Sequence, residues 1–514
     1  MKRESRTALS KLNVISSISG RIIGMICTFA GRGIFVRTLR TEYLGLGGFF
    51  GNIFSVISLC ELGVGAAIAQ SLYKPLAEND EHKVCGIVGY YQKVNNIIGC
   101  MTLVLSLCCT PILPKIAKTD IEMGEIYCCF VLFAVHTALS YVMSAKKSLV
   151  ICDQRLYVVT AVNGVVSVVL LVLQYVVLTG LGSYVVYLGT RILILTVRDI
   201  VINAYADKKY PFLSKKIKLP KEYFLKLKES VKALMWHKIG GTLCRSTDSI
   251  LLSVYVGLSG MGKYSNYALV IGTVGAFFDV AINAVSASVG NLGAEDRGDR
   301  SENIMRKMYF LNFFLLTVGL CVLVCTVTPF IKLWLGEEMV FSAGETWIIA
   351  GCFYFSCIRD PVQIFLHNYG IFRQTELIPI VRATVNFVLS VIFVKSMGLA
   401  GVFLGTVIST VTVPLYAEVK MLYKYGFGKE KWGEFAREMT GYIVLSGFLA
   451  VLCYKVTAGF PETACGVAAK AVVSTVLSVT ILCVIYWKNS YFVYYRNMLL
   501  DRSGIAGKKA RSLR

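Results

Sequence analysis

The chain has 514 residues, of which 55% are apolar and only 16% charged. A soluble protein carries about 25% charge, and a soluble chain of this length would need several polar shells. The apolar content excludes a disordered chain and the size excludes a small disulfide scaffold, which leaves a polytopic membrane protein, with mean hydropathy +0.63. The formal net charge is nonetheless +22, from 53 Lys+Arg against 31 Asp+Glu. In a membrane protein such an excess reports topology before it reports partners, so it does not imply nucleic acid.

A helix needs about 20 mainly apolar residues to cross a bilayer. In chain order, apolar windows predict spans at roughly 12–36, 44–73, 87–112, 124–145, 156–179, 184–203, 230–257, 263–291, 305–331, 345–369, 375–395, 397–419, 438–456 and 465–487. The expected fold is therefore all-α and integral to the membrane, with about fourteen transmembrane helices. Leu156–Thr190 is uncharged and long enough for two of them, with Gly180-Leu181-Gly182-Ser183 as the turn. The basic start Met1–Lys11 reads as a cytoplasmic lead-in, because no small-residue cleavage site follows a short apolar core.

Lys and Arg then orient the chain. With a cytoplasmic N-terminus about 35 of them fall inside, including Lys146, Lys147 and the run Lys208–Lys228, and about eight outside. An odd span count would destroy that asymmetry, so both termini are expected in the cytoplasm of a cell-membrane protein. The outer loops are short, and no soluble domain is expected on either face.

The polar stretch 204–229 contains Tyr210-Pro211 and Leu219-Pro220 and reads as a basic linker. It separates an N-terminal lobe of six spans (1–203) from a C-terminal lobe of six (230–424). Two extra spans (425–487) and a basic tail (488–514) follow. The two lobes carry a weak internal echo. Counting on from Gly45 in Tyr43-Leu44-Gly45-Leu46-Gly47, Glu61 comes sixteen residues later. Counting on from Gly262 in Gly260-Met261-Gly262-Lys263-Tyr264, Asp279 comes seventeen later. That pattern suggests parallel repeats in a pseudo-twofold arrangement.

Charged groups inside spans cost about 2.5–3.5 kcal/mol each on insertion scales, so they should face protein or water. Here they are Arg21 and Arg32, Glu61, Arg191 with Arg198-Asp199, Lys238, Arg245 and Asp248, Asp279, Arg359-Asp360, Arg382 and Lys470. Some are explained structurally. Arg245 and Asp248 are i,i+3 partners, and Lys470 can snorkel. The surplus of cations over acids is not explained that way. An Arg-rich lining suits an anionic cargo, since guanidinium grips phosphate through two parallel hydrogen bonds. Asp360-Pro361 marks a kink or hinge in the tenth span. The 17 Cys and 4 His show neither C-x-x-C nor zinc spacing. No metal, cofactor or enzyme active site is expected, and the Gly-x-Gly pieces lie in apolar helices suited to close packing.

Several stretches resemble Wzx-type polysaccharide-biosynthesis flippases. They are Leu44-Gly45-Leu46-Gly47-Gly48-Phe49-Phe50-Gly51-Asn52, Glu61-Leu62-Gly63-Val64-Gly65 and Leu72-Tyr73-Lys74-Pro75-Leu76. Further on come His237-Lys238-Ile239-Gly240, Thr247-Asp248-Ser249 and Gly262-Lys263-Tyr264-Ser265-Asn266-Tyr267. That family sits in the superfamily of multidrug, oligosaccharidyl-lipid and polysaccharide exporters. The resemblance implies a two-lobe, alternating-access flippase carrying an undecaprenyl-diphosphate-linked oligosaccharide to the outer leaflet. It also implies membrane lipids and other polysaccharide-assembly proteins as partners, and coupling to H+, Na+ or the membrane potential. Arg21, Arg32, Arg245 and Arg359, then Arg191 and Arg382, are the expected cargo contacts. Glu61, Asp248, Asp279 and Asp360 are expected to couple ions or balance charge, and Pro361 to act as hinge. Two rivals remain at this point: a multidrug or metabolite antiporter of the same superfamily, and a membrane-embedded glycan polymerase or ligase.

Overall fold

The computed structural model describes residues 6–57, 64–116, 121–214, 217, 248, 250–295, 298–369 and 371–502. All regular structure among the described residues is helical. With no water in a bilayer core to satisfy backbone groups, helices are the economical solution for a chain this apolar. Ten described helices or helix runs are long and apolar enough to cross a membrane, against about fourteen expected. Most of window 230–257 lies outside the described residues. Thr41–Ile57 is only 17 residues long, and Tyr184–Lys209 carries Arg191, Arg198, Asp199 and Asp207 in its length.

The chain divides into two compact units. The first comprises Met1–Ser265 with Val394–Val402, and the second Asn266–Phe393 with Phe403–Arg514. In the first unit the described helices are α1 (Arg6–Thr38), α2 (Thr41–Ile57), α3 (Val64–Glu78), α4 (Glu81–Cys109), α5 (Met123–Val142), α6 (Ser144–Cys152), α7 (Leu156–Leu181) and α8 (Tyr184–Lys209). The uncharged stretch folds as expected: α7 ends at Gly182, whose φ of +61° is left-handed, a conformation glycine adopts without a Cβ penalty. The expected linker begins late, because α8 continues to Lys209 before a short 3-10 turn at Pro211–Ser214. The segment carrying Lys146 and Lys147, between two expected spans, is the helix α6.

α1 and α7 pack along most of their length through small and polar groups. The Asn13 side chain donates to the Gln154 carbonyl (2.7 Å) and accepts from the Tyr157 amide (2.8 Å). Ser16 and Thr160 hydroxyls meet at 2.6 Å, and Gln174 donates to the Gly31 carbonyl at 2.7 Å. Polar side chains that find partners across helices give an apolar bundle its register. An aromatic core of Phe49, Phe50, Phe54 and Phe130 joins α2 to α5.

α9 (Gly257–Glu295) crosses the division between the units. The second unit continues with α10 (Asp299–Leu335), α11 (Ala343–Cys357), α12 (Asp360–Asn368), α13 (Leu377–Met397), α14 (Leu399–Thr412), α15 (Pro414–Met421), α16 (Gly433–Thr457), α17 (Ala464–Tyr486) and α18 (Ser490–Arg502). α10 is its centre and packs against α11, α16 and α17. The two C-terminal spans, expected outside the symmetric core, thus build directly on it. Thr317 of α10, Ser446 of α16 and Tyr354 of α11 share a buried hydroxyl cluster at 2.6 and 2.8 Å. The basic tail contributes α18, which the sequence did not suggest.

Candidate functional site

α1 has three distinct faces. Asn13, Ser16, Gly20, Gly24 and Gly31 meet α7, while Ile15, Ile18, Ile22 and Ile26 form an exposed apolar stripe. Arg21 and Arg32 lie on the third. Eleven residues apart, they are three turns along and within about 20° of the same direction, separated by about 16 Å. Arg21 is exposed and Arg32 half-buried.

Arg32 is positioned from two sides. Its Nη1 donates to the Ser265 hydroxyl at 2.9 Å, and Ser265 is itself aimed by donating to the Gly262 carbonyl at 2.7 Å. Arg191 of α8, with Tyr187 and Tyr184 one and two turns before it, acts on Arg32 electrostatically. The tyrosines pack edge-on to Phe35 at 5.9 and 5.5 Å. Tyr184 also packs at 4.8 Å, tilted by 33°, against Tyr43, whose hydroxyl donates to Glu125 at 2.9 Å. The two guanidiniums, on different helices, lie within electrostatic range of one another, beside Tyr184 and Tyr187. Like charges held together cost energy unless an anion or water joins them, so the arrangement suits a diphosphate.

The two glycine motifs compared in the sequence meet in space. A Cβ on Gly45 would overlap the Leu258 carbonyl, and one on Gly262 would overlap the Thr41 carbonyl. Backbone-to-backbone contact of this kind needs glycine on both helices, and it sets Ser265 within reach of Arg32.

In the second unit the structure gives Arg359 a partner the sequence did not offer. Arg359 and Glu418 side chains are only 6% and 9% exposed. They pair through two hydrogen bonds, Nε to Oε2 at 3.1 Å and Nη2 to Oε1 at 2.5 Å, and Gln363 adds a third at 3.3 Å. Arg359, expected as a cargo contact, forms this pair in the structure. It sits in the break between α11 and α12, where Asn312 of α10 donates to the Cys357 carbonyl at 2.9 Å. Pro361 falls in the first turn of α12, where a missing N–H costs nothing. Ile358 and Arg359 keep right-handed helical torsions, so α11 and α12 form one helical run with a local interruption just before Pro361.

Arg382 is half-buried on α13 and Asp248 half-buried beside the described edge, both with partners. Asp279 lies on α9. Glu61 and Arg245 lie outside the described residues. The structure thus brings together Arg32 with Arg191, and puts Arg21 on the same face of α1 as Arg32. Sequence reasoning missed Glu418, Ser265 and Tyr184. Glu418 sits one residue beyond the charge-free window Ser396–Ala417, and no spacing within one helix links it to Arg359.

No protein-family model matches the sequence, and no curated protein matches it. Solved structures do match in fold. A lipid II flippase, MurJ, in an inward closed conformation superposes with a TM-score of 0.67 at 12% identity, over 93% of this chain and 99% of that one. An inward-facing multidrug resistance MATE transporter of the MOP superfamily gives 0.63 at 13% identity, over 79% and 98%. A MATE structure in a bent conformation gives 0.54 at 16% identity, over 85% and 97%. The chain shares the fold of these proteins along most of its length and almost all of theirs.

Proposed function

We propose that the protein is a flippase that moves an undecaprenyl-diphosphate-linked oligosaccharide from the cytoplasmic to the outer leaflet for surface polysaccharide assembly. The observation that carries this reading is the cationic neighbourhood of Arg32 and Arg191, with Arg21 three turns along the same face. Its spacing of about 16 Å suits a diphosphate and the first sugars attached to it. The fold shared with a lipid II flippase supports a lipid-linked cargo. The positive-inside bias favours placing both termini in the cytoplasm of a multi-pass cell-membrane protein.

In this reading Arg32 and Arg191 hold the diphosphate, and Tyr184, Tyr187 and Phe35 wall it off from lipid. Arg359 acts through its pair with Glu418, fixing the α11–α12 break beside Pro361, and does not touch cargo. Asp248, Asp279, Glu61 and Asp360 are the groups to test for coupling to H+ or Na+. Moving one charge through 100 mV is worth about 2.3 kcal/mol, enough to bias a two-state transporter several-tenfold without a nucleotide.

The likeness to MATE transporters favours a second reading, a multidrug or metabolite antiporter. The two are separated by reconstitution. Proteoliposomes carrying a lipid-linked oligosaccharide should show protein-dependent exposure of its sugar to an impermeant enzyme or lectin. Efflux of organic cations with no such exposure would replace the flippase reading by the antiporter one. An Arg32→Ala/Arg191→Ala variant that flips as fast as the wild type would remove the site assignment.

A further inference from the structure

A second charged cavity lies inside the first unit, built by α5, α6 and α8 and used by nothing described so far. His136, Ser140, Ser144, Lys147, Arg198 and Asp199 line it, and its volume is about 370 Å³, within the usual range of small-molecule pockets, about 300–1,000 Å³. His136 and Arg198 stand about 9 and 16 Å of helix from the Val142 and Lys209 ends, and Lys147 on α6 lies beyond the end of α5, so the cavity reaches the end of that span.

Its charge does not balance. Asp199 is the only acid lining it, 6% exposed, and both its oxygens already accept from Arg198, at 2.9 and 3.0 Å. Lys147 makes no hydrogen bond or ion pair among the described residues, though it feels both Arg198 and Asp199. The buried Nδ1 of His136 has no hydrogen-bond partner, and Arg191 adds a further positive field there. Ser144 is already committed, accepting from Asn95 at 2.7 Å and donating to the Tyr141 carbonyl at 3.0 Å; Ser140 donates to the Thr137 carbonyl at 2.8 Å. What remains free is an ammonium with three donors, an imidazole and the outer edge of a guanidinium. Lys147 is half-buried, and a partly desolvated cation with no counter-ion of its own favours a bound anion.

We infer that this cavity binds an oxyanion of the phosphate class, with Lys147 as its principal ligand and Arg198 and His136 beside it. Arg and Lys in combination match a tetrahedral oxyanion, the guanidinium as a fork and the ammonium as a point charge. The same chemistry is offered by free inorganic phosphate and by the phosphate of an anionic lipid headgroup. The inference does not rest on the identity of the transported cargo.

The test uses the full chain purified in a neutral detergent. Inorganic phosphate is titrated into it calorimetrically. In parallel, protein taken from nanodiscs of phosphatidylglycerol or phosphatidylcholine is examined by native mass spectrometry for retained lipid. Saturable phosphate binding places the free anion in the cavity. Retained phosphatidylglycerol without phosphate binding places a headgroup there. In either arm Lys147→Gln should weaken binding at least tenfold, while Lys146→Gln, which removes a surface partner of Asp207, should leave it unchanged. Ser140→Leu, which fills the cavity without touching a charge, should also abolish it, and it replaces Lys147→Gln should that variant not fold. Wild-type protein that binds neither probe, or binding that survives both Lys147→Gln and Ser140→Leu, overturns the inference. Neither readout involves transport, so a failed flipping assay leaves it standing.

Discussion

Removing one member of the Arg359–Glu418 pair should damage the protein far more than removing both. The two side chains are 6% and 9% exposed, so solvent screening is slight and the full cost of an orphaned buried charge applies. That cost is about 3–5 kcal/mol for loss of one partner, whereas replacing both by apolar groups of similar volume is neutral or stabilising by about 1–4 kcal/mol. Glu418→Gln leaves Arg359 with an amide acceptor, and Gln363, which donates to Glu418 at 3.3 Å, is partly orphaned too. Arg359→Met leaves the carboxylate with Gln363. At roughly 2–4 °C per kcal/mol for units of this size, each single variant should lower the apparent melting temperature by about 6–20 °C. Arg359→Met/Glu418→Leu should return to within a few degrees of the wild type. The measurement is thermal unfolding of detergent-purified protein by intrinsic fluorescence, arranged as a double-mutant cycle. Additive losses would refute a pair acting as a unit. A stable double variant that no longer flips lipid-linked oligosaccharide would instead return Arg359 to the cargo site.

The cationic neighbourhood gives a second expectation: Arg32→Ala or Arg191→Ala should weaken cargo engagement tenfold or more, since a charge-assisted hydrogen bond is worth about 1.5–3 kcal/mol. A competition assay with a soluble diphosphate-sugar analogue reads this directly, and equal affinity in all three proteins would remove both residues from the site. Gly45→Ala and Gly262→Ala each drive a methyl into a facing backbone carbonyl, an overpacking that costs about 1–3 kcal/mol. Monodisperse yield by size-exclusion chromatography should fall for both, whereas Gly51→Ala, whose Cβ would meet open space, should leave it unchanged. Glu462, in the turn between α16 and α17, is held below the ordinary carboxylate range chiefly by its hydrogen bond from Lys332. Its contribution is therefore present above the unfolded value of about 4.3 and fades as pH falls through the lower folded value. Wild type and Glu462→Gln should differ slightly in thermal stability at pH 7 and converge in strong acid, and a gap that persists there would show the effect is not ionic.

The spans were legible because the physics that sets them is local. A bilayer requires long apolar windows whatever they pack against, and α4, α7, α10, α16 and α17 lie where those windows do. What the windows hid is where a helix is interrupted. Window 345–369 is α11 and α12 with Arg359 in the break, and window 397–419 is α14 and α15 with Val413-Pro414 between them. Both interruptions are stabilised by groups remote in sequence: Asn312 caps the Cys357 carbonyl, and Glu418 neutralises Arg359. The site divides in the same way. Arg21 and Arg32 share a face because eleven residues make three turns, which is sequence arithmetic. That Ser265 reaches Arg32 depends on the Gly45–Gly262 contact, which no spacing within one helix reveals. Counting buried cations against buried acids was sound for the chain as a whole but blind to pairing. Once Arg359 is assigned to Glu418 and Arg198 to Asp199, positive charge not paired with an acid remains among the described residues of the first unit at Arg32 with Arg191 and at Lys147. An anionic cargo or ligand is therefore to be sought there, in two chemically distinct places, and not spread evenly along the spans.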